Sequence, residues 1–338
     1  LPKTAWPPTL HRLAETANPD YGRRAGIRKS EKMRIGGLVI RATGSWYEVE
    51  HEGERLRCRI RGRLRLRGAR STNPVVVGDT VFCECDDKGE WTICDIAPRR
   101  NYIIRRASNL SKESHIIAAN IDRAMIVATI AEPVTATEFI DRFLITCEAY
   151  KVPVTILLAK CDLLDANPQA AAEFHRTYES AGYEVIDLST VDGRGVERVR
   201  GMLEGCTTLL SGNSGVGKST LVRTIDPSLD IRTGEISESH RKGRHTTTFS
   251  TMYPIGSGGY IIDTPGIKGF GLIDIEDHEL WHYFPEMMRV AADCKFYNCT
   301  HTHEPGCAVV RAVECGEIAY SRYESYLKIL DDDDKYRK

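Results

Sequence analysis

The sequence has no long apolar run and almost no net charge. Its longest apolar stretches, such as residues 124–131, have about eight residues, whereas a membrane-spanning helix needs about 18 or more. Basic and acidic side chains nearly cancel, 46 against 47. With 41% hydrophobic and 28% charged residues among 338, the chain has the composition of a globular protein of two or three domains. We therefore expect neither a membrane protein nor a disordered chain.

Charge and cysteine are unevenly placed along the chain. Residues 34–106 carry 15 Lys and Arg against 10 Asp and Glu, so a polyanion partner should meet the N-terminal third. Of the 11 cysteines, seven are scattered through apparent strands and helices, which is typical of buried thiols in the reducing cytoplasm. The other four crowd near the C-terminus beside histidines and need a separate explanation.

Changes in the residue pattern predict a leader and three domains. Residues 1–33 are proline-containing and basic, without apolar periodicity, which predicts a poorly ordered leader. Residues 34–105 hold five or six short β-type segments, typical of a small β-barrel of the oligonucleotide-binding (OB) fold. Residues 106–273 alternate apolar strands with helices, which indicates an α/β domain. Residues 274–338 are predicted to form helices around a Cys/His loop.

The strongest motif is a P-loop, G-x-x-x-x-G-K-[ST], between an apolar strand and a helix-compatible segment. Backbone N–H groups of such a loop surround the β-phosphate, its lysine reaches the β- and γ-phosphate oxygens, and its serine, Ser219, can ligate Mg²⁺. We expect the nucleotide to be bound by Gly212, Asn213, Ser214, Gly215, Val216, Gly217, Lys218, Ser219 and Thr220.

A second loop selects the base. Ala159, Lys160, Cys161 and Asp162 follow an apolar strand and look like the [NT]-K-x-D motif of GTPases, in which the Asp accepts from N1 and N2 of guanine. Ala159 departs from that motif, because it lacks the Asn amide that ties the base-reading loop to the P-loop. We expect this departure to weaken GTP binding without changing specificity. Ser189 fits the weaker loop that supports the base.

A third loop senses the γ-phosphate. Asp263 and Gly266 form an Asp-x-x-Gly pattern after an apolar strand, where the carboxylate can hold Mg²⁺ through water and the Gly266 N–H can contact the γ-phosphate. This switch II segment follows the P-loop, but the base-reading loop precedes both. The chain therefore has the motif order of a circularly permuted GTPase, with switch II just before the C-terminal helices.

The residues that support GTP hydrolysis are expected in the segment between the P-loop and switch II. Thr246 or Thr247 is the candidate to ligate Mg²⁺ and touch the γ-phosphate. Ile267 stands where many GTPases carry the Gln that orients the attacking water, and an Ile side chain cannot do so. His245 therefore becomes a candidate for positioning the water or accepting its proton, although it could equally be a surface residue.

A Cys/His cluster predicts a structural zinc site. Three thiolates and an imidazole within 14 residues suit tetrahedral Zn²⁺, and a Cys₃His set leaves no open position. The expected ligands are Cys294, Cys299, His301 and Cys307. His303 is the alternative to His301, and Cys315 is expected to be spare.

Arginine occupies every odd position from 55 to 67. A strand places alternate side chains on one face, so these arginines should form an unbroken cationic face on the barrel. Such a face favours a track for an RNA phosphate backbone over an ordinary solvated surface.

Together these motifs resemble the RsgA (YjeQ) family of circularly permuted GTPases that depend on the small ribosomal subunit. The resemblance covers residues 34–335 and includes residues 43–47, 109–112, 243–249 and 263–270 and the Cys/His pattern. It implies a multidomain protein: an OB-fold barrel, a permuted α/β GTPase core and a helical zinc-binding domain. Slow GTPases stimulated by the small subunit are typical of the family, and His245 matches its switch I histidine.

The resemblance further implies a late-acting assembly factor of the small (30S) ribosomal subunit that binds its rRNA. We expect GTP or GDP, Mg²⁺ and one Zn²⁺ as cofactors, and a monomeric, cytoplasmic protein without membrane contact. Two alternatives remain. One is an RNA-binding module with a weak or vestigial nucleotide site, motivated by Ala159. The other is a P-loop kinase or ATPase, which would require a phosphoacceptor site and the absence of a guanine-reading Asp162.

Overall fold

The computed structural model describes residues 33–43, 46–62, 64, 74–106, 114–229, 250–256, 258–263 and 275–336. The expected leader lies outside these residues, apart from position 33. No helix in this part of the chain is both long and apolar enough to cross a membrane.

The N-terminal third folds into a closed barrel. Strand β3 pairs parallel with β5 and the other neighbours pair antiparallel, in the order β1-β2-β3-β5-β4, with β4 returning to β1. Closure leaves no free sheet edge within the barrel. The OB-like barrel is thus confirmed. Its strands are β1 (Arg34–Ala42), β2 (Tyr47–His51), β3 (Glu54–Ile60), β4 (Thr80–Cys85) and β5 (Trp91–Ile96).

A two-stranded hairpin leads from the barrel to the second domain. Its strands, β6 (Tyr102–Arg106) and β7 (Ser114–Ala119), pair antiparallel. A β-bridge between Val77 and Ala118 joins the hairpin to the barrel. The strand that leads into the α/β domain, β7, therefore contacts the barrel directly.

The α/β domain is a six-stranded sheet in the order β10-β9-β8-β11-β13-β12. The first five strands run parallel and β12 is antiparallel at one side. All parallel strands therefore end at the same edge of the sheet. The strands are β8 (Arg123–Ala128), β9 (Val154–Ala159), β10 (Glu184–Leu188), β11 (Thr207–Gly212), β12 (Thr251–Pro254) and β13 (Tyr260–Asp263).

Helices cover both faces of this sheet, as the apolar strand sequences predict. On β8, Ala124 and Ile126 pack into one apolar cluster with helices α1 and α2, whereas Met125 and Val127 pack into the other with α3 and α4. This alternation follows from the two-residue period of a strand. The helices are α1 (Thr137–Ala149), α2 (Pro168–Ala181), α3 (Val196–Leu203) and α4 (Lys218–Ile225).

The C-terminal region is helical, as predicted. A 3₁₀ helix (Asp277–Tyr283) leads into α5 (Pro285–Ala291), and the Cys/His loop separates α5 from α6 (Ala308–Glu314). The last helix, α7 (Tyr320–Tyr336), packs against α1 of the α/β domain. The C-terminal region therefore packs on the α/β domain.

A buried arginine joins these two domains. Arg322 of α7 is 1% exposed, and its Nη1 donates to Asp141 Oδ1 on α1 at 2.6 Å while its Nε donates to Glu286 Oε1 on α5 at 2.7 Å. Its guanidinium also lies 4.7 Å from the centre of the Phe284 ring. Burial, opposed by the Arg322 charge, raises the pKa of Asp141. One buried guanidinium thus forms ion pairs with two buried carboxylates from different domains.

Replacing this arginine should destabilise the protein strongly. Arg322→Met leaves Asp141 and Glu286 buried without a cation, so we expect the free energy of unfolding to fall by about 3–5 kcal/mol in denaturant titrations. The matched control is Lys328→Met on the same helix, which breaks an exposed pair with Glu324 and should cost less than about 1 kcal/mol. Equal losses in the two variants would contradict a structural role for the buried network.

Candidate nucleotide site, metal centre and basic face

Three loops of the expected nucleotide site meet at one edge of the sheet. The base-reading loop follows β9, the Ser189 loop follows β10 and the P-loop follows β11. Because these strands are parallel, their carboxyl ends lie side by side, which is where open α/β sheets bind ligands. Strand β13 brings the backbone of Asp263 to the same edge, beside Leu210 in register.

The P-loop glycines are required by its backbone. Gly215 and Gly217 have φ of 84° and 105°, a region that favours glycine. At Gly212, with φ of 144°, a Cβ would lie 2.4 Å from the Val127 carbonyl oxygen. Gly217 is the N-cap of α4, so the first backbone N–H groups of that helix face the loop. The arrangement suits a bound phosphate.

The P-loop lysine folds back over the loop. Lys218 is 6% exposed, and its ammonium donates to the carbonyl of Gly212 and to that of Asn213 at 2.8 Å. Val216, fully buried, anchors the loop in the apolar cluster beneath it. Ser219, half-buried, is the second residue of α4. The lysine is therefore held at the mouth of the phosphate loop.

The base-reading loop begins with a left-handed residue. Lys160 has φ of 57° and directly precedes a 3₁₀ helix, Cys161–Leu164, that carries the half-buried Asp162. Ala159 and Cys161 are 6% and 3% exposed, and burial raises the pKa of Cys161 to about 11. The buried residues thus anchor the loop while Lys160 and Asp162 remain at the site.

Ser189 closes the neighbouring loop. It is 1% exposed, and its Oγ accepts from the backbone N–H groups of Val191 and Asp192 at 3.2 and 3.3 Å. Its own N–H donates to the Arg194 carbonyl at 3.0 Å. The loop beside the base-reading loop is therefore fixed by local hydrogen bonds.

The expected switch residues are not placed. His245, Thr246, Thr247 and Gly266 lie outside the described residues, and for Asp263 only the backbone is described.

The four expected metal ligands converge. The ligand atoms of Cys294, Cys299, His301 and Cys307 all lie within 4.8 Å of one another. His301 Nδ1 is 3.6 Å from Cys294 Sγ and 3.4 Å from Cys307 Sγ, close to the roughly 3.5 Å that separates sulfur and nitrogen ligands around tetrahedral zinc. The alternative His303 is exposed and contacts Thr302 Oγ1 instead, at 2.8 Å. Cys315 is exposed and outside the cluster.

A carboxylate that the sequence analysis missed orders the loop between two ligands. Glu304 accepts from the Thr300 N–H at 2.7 Å, the Thr300 hydroxyl at 2.6 Å and the Thr302 N–H at 3.1 Å. Although burial opposes them, these hydrogen bonds together hold the pKa of Glu304 well below its usual range. Tyr323 donates from its hydroxyl to the His301 carbonyl at 2.8 Å. The sequence Glu304-Pro305-Gly306 is typical of a turn, but it does not reveal that the carboxylate accepts these hydrogen bonds.

The barrel has a basic face, but acidic side chains also lie on it. Arg55, Arg57 and Arg59 are exposed on β3 while Cys58 is buried, as the alternation predicts. The expectation of an unbroken cationic face is wrong for Arg61, which pairs with Glu84 at 2.9 Å. Acidic side chains lie on the same face because β5 and β4 follow β3 in the barrel. Glu84 belongs to β4, and Glu90, which directly precedes β5, lies 4.0 Å from Arg59.

An aromatic ring lies within this face. The guanidinium carbons of Arg57 and Arg59 lie 4.0 and 4.3 Å from the centre of the Trp46 ring, within reach of cation–π attraction. Arg63, Arg65 and Arg67 lie outside the described residues. The described face therefore combines cations with a flat aromatic surface.

Comparisons with known proteins agree with this geometry. Residues 96–273 match the RsgA GTPase family, and residues 36–93 match the RsgA N-terminal domain. A Small ribosomal subunit biogenesis GTPase RsgA from Bacteroides fragilis is 53% identical over 305 residues, 89% of this chain and 98% of that protein. One of the same name from Porphyromonas gingivalis is 51% identical over 310 residues, 90% of this chain and 98% of its own length.

Two solved structures share the fold. YjeQ from Thermotoga maritima superposes with a TM-score of 0.70 at 34% identity, covering 89% of this chain and 98% of its own. YloQ, described as a circularly permuted GTPase, superposes with a TM-score of 0.68 at 27% identity, covering 93% of this chain and 99% of its own. The permuted motif order therefore corresponds to a known fold.

Proposed function

The chain belongs to the RsgA family of GTPases, and from that premise we propose that it assists late maturation of the small (30S) ribosomal subunit, hydrolysing GTP as it does so. The observation that carries the proposal is the 53% identity, over nearly the full length of both chains, to a relative named for that process. The nucleotide loops that meet at one sheet edge support it. The protein acts as a cytoplasmic monomer in this proposal.

Each nucleotide-site residue has a role in this proposal. The P-loop N–H groups and Lys218 hold the β- and γ-phosphates, which replace the carbonyls of Gly212 and Asn213 as partners of the ammonium. Asp162 accepts from the guanine edge, and the Lys160 stem packs on the ring. Ser219 and Asp263 hold Mg²⁺, whose charge offsets that of the phosphates.

Hydrolysis is assigned to the two switch segments. Thr246 or Thr247 contacts Mg²⁺ and the γ-phosphate, the Gly266 N–H senses the same phosphate, and His245 positions the attacking water. Because Ile267 offers no polar group to that water, the isolated chain has an incomplete hydrolytic site. Binding to the small subunit completes it in this proposal.

The turnover of GTP should depend on small subunits. Alone, the protein should hydrolyse GTP at about 10⁻⁴ to 10⁻² s⁻¹, as GTPases without a completed site do, and purified small subunits should accelerate phosphate release in a single-turnover assay. Lys218→Ala should abolish both rates, whereas Lys328→Ala, which removes an exposed side chain of α7, should change neither. Equal rates with and without subunits would refute the proposed dependence.

We assign one structural Zn²⁺ to Cys294, Cys299, His301 and Cys307. Ligation in comparable small sites contributes roughly 10–16 kcal/mol to folding. The ion holds the loop closed and takes no part in hydrolysis, because four protein ligands leave no position for water.

Removing one ligand should release the metal. We expect about one equivalent of zinc in the purified protein by elemental analysis, and its loss in Cys299→Ala together with faster amide exchange across residues 290–310. Cys315→Ala, which removes an exposed thiol outside the cluster, should keep the metal. Zinc-free protein from a zinc-supplied preparation would disprove the site.

We also propose that the basic face of the barrel contacts rRNA. Arg55 and Arg57 form no ion pair among the described residues, although Glu50 and Glu48 of β2 lie opposite them in register, and Arg59 has only a distant partner at 4.0 Å. These cations suit phosphates, and the contacts of Arg57 and Arg59 with the Trp46 ring hold both guanidinium groups on this face.

The salt dependence of subunit binding tests this contact. Each phosphate neutralised should lower log affinity by about 0.7 to 0.9 per unit of log salt concentration. Replacing Arg55, Arg57 and Arg59 with Gln should therefore flatten the slope by about two to three units and leave GDP binding to the free protein intact. As a control, Gln replaces three exposed arginines of other elements, Arg176, Arg198 and Arg311, and the slope should stay that of the parent. An unchanged slope in the barrel variant would rule out the rRNA contact.

A further inference from the structure

Ala159 leaves the base-reading loop without the side-chain amide that the GTPase motif supplies. Its methyl group is 6% exposed at the end of β9 and can form no hydrogen bond. The base-reading loop and the P-loop must still be held in a fixed relation, because one nucleotide contacts both. The connection in this chain must therefore come from other residues.

A neighbouring loop touches both of them. Residues 129–136, which we name the bridging loop, join β8 to α1, and β8 lies between β9 and β11 in the sheet. The carbonyl of Glu132 accepts a hydrogen bond from the Lys160 ammonium. The ring of Pro133 lies against the P-loop, since a Cβ on Gly215 would be 3.6 Å from its Cγ. The bridging loop thus spans the gap between the two nucleotide loops.

Two buried threonines hold the bridging loop in shape. Thr129 and Thr135 are 0% and 4% exposed. The Thr135 Oγ1 accepts from the Thr129 N–H at 3.0 Å, the Thr135 N–H donates to the Thr129 carbonyl at 2.7 Å, and the Thr129 hydroxyl donates to the Pro133 carbonyl. Because buried N–H groups need partners, this pair ties the start of the loop to its end.

The hydrogen bond between Lys160 and Glu132 is important because Lys160 has an unusual backbone conformation. A φ of 57° is sparsely populated by residues other than glycine and persists where surrounding contacts fix it. Lys160 is also the residue from which the helix bearing Asp162 departs. The hydrogen bond from its ammonium to the Glu132 carbonyl therefore ties the residue that precedes this helix to the bridging loop, which also contacts the P-loop.

We propose that the bridging loop replaces the missing amide at position 159, with Thr129 and Thr135 as the positioning residues for guanine recognition. The inference rests on the proposed GTP site. It also reverses the expectation from sequence, since the bridging loop offsets the loss of affinity expected from Ala159.

Removing one hydroxyl should damage base reading more than phosphate binding. We would measure the affinity of the full chain for GDP and for inosine diphosphate, which lacks the exocyclic amine that Asp162 accepts from. Thr135→Val should weaken GDP binding about tenfold, the equivalent of one buried hydrogen bond, and inosine diphosphate less than about threefold. Thr135→Ser, which keeps the hydroxyl, should retain the affinity of the parent.

Restoring the amide should reverse the damage. Ala159→Asn in the Thr135→Val protein should recover GDP affinity to within about threefold of the parent. Thr208→Val is the matched control, because Thr208 is a buried threonine of β11 whose hydroxyl has no partner among the described residues. Equal weakening of both nucleotides in Thr135→Val, or no recovery when Ala159→Asn is added, would overturn the inference while leaving the GTP site in place. A parent that binds no guanine nucleotide would overturn both proposals.

A measurement on the unmodified protein remains decisive if Thr135→Val does not fold. Saturating GDP should slow amide hydrogen exchange in residues 129–136 as well as in 159–163, since the two segments are connected. Slowing in 159–163 with unchanged exchange in 129–136 would overturn the inference.

Discussion

The parallel alignment of five strands decides where the nucleotide-binding loops lie. Strands β10, β9, β8, β11 and β13 run in one direction and end at one edge, so every loop that follows a strand is delivered to that edge. Neighbours in the sheet, not neighbours in the chain, set the distances within the site. A permuted chain therefore assembles the same site as an unpermuted one, provided that the strand order in the sheet is kept.

Local patterns made most of the fold predictable. The two-residue alternation on β3, the apolar strands and the P-loop glycines each express a rule that acts over a few residues, and the structure agrees with them. The contacts between distant residues were not predictable. Arg61 meets Glu84 across 23 positions, and the network of Arg322 reaches Asp141 across 181. No periodicity encodes such pairs, because they depend on strand order and on helix packing.

In the candidate site, too, local features were predictable from the sequence and contacts between residues were not. The residue types at positions 159–162, 212–220 and 294–307 predict the proposed chemistry, because phosphate, guanine and zinc each need particular groups at close spacing. The supporting residues carry no such signature. Glu304 resembles any surface acid and Thr135 any loop threonine until the hydrogen bonds that each accepts are seen. Residues that bind a ligand can therefore be recognised from residue type and spacing, whereas residues that support them are recognised only from the folded geometry.

The permutation also determines where the outer domains attach. Strand β12 begins directly after the expected switch I segment, and it pairs with β1 of the barrel between Thr251 and Arg41. Tyr260 of β13 reinforces this joint by donating to Glu50 Oε1 at 3.0 Å. The C-terminal domain follows the expected switch II segment and is locked to α1 by Arg322. The barrel is therefore paired with the strand that follows the expected switch I segment, whereas the C-terminal domain is covalently continuous with the expected switch II segment and anchored to α1. We therefore expect a movement of either segment to be transmitted to the surfaces of the barrel and of the C-terminal domain.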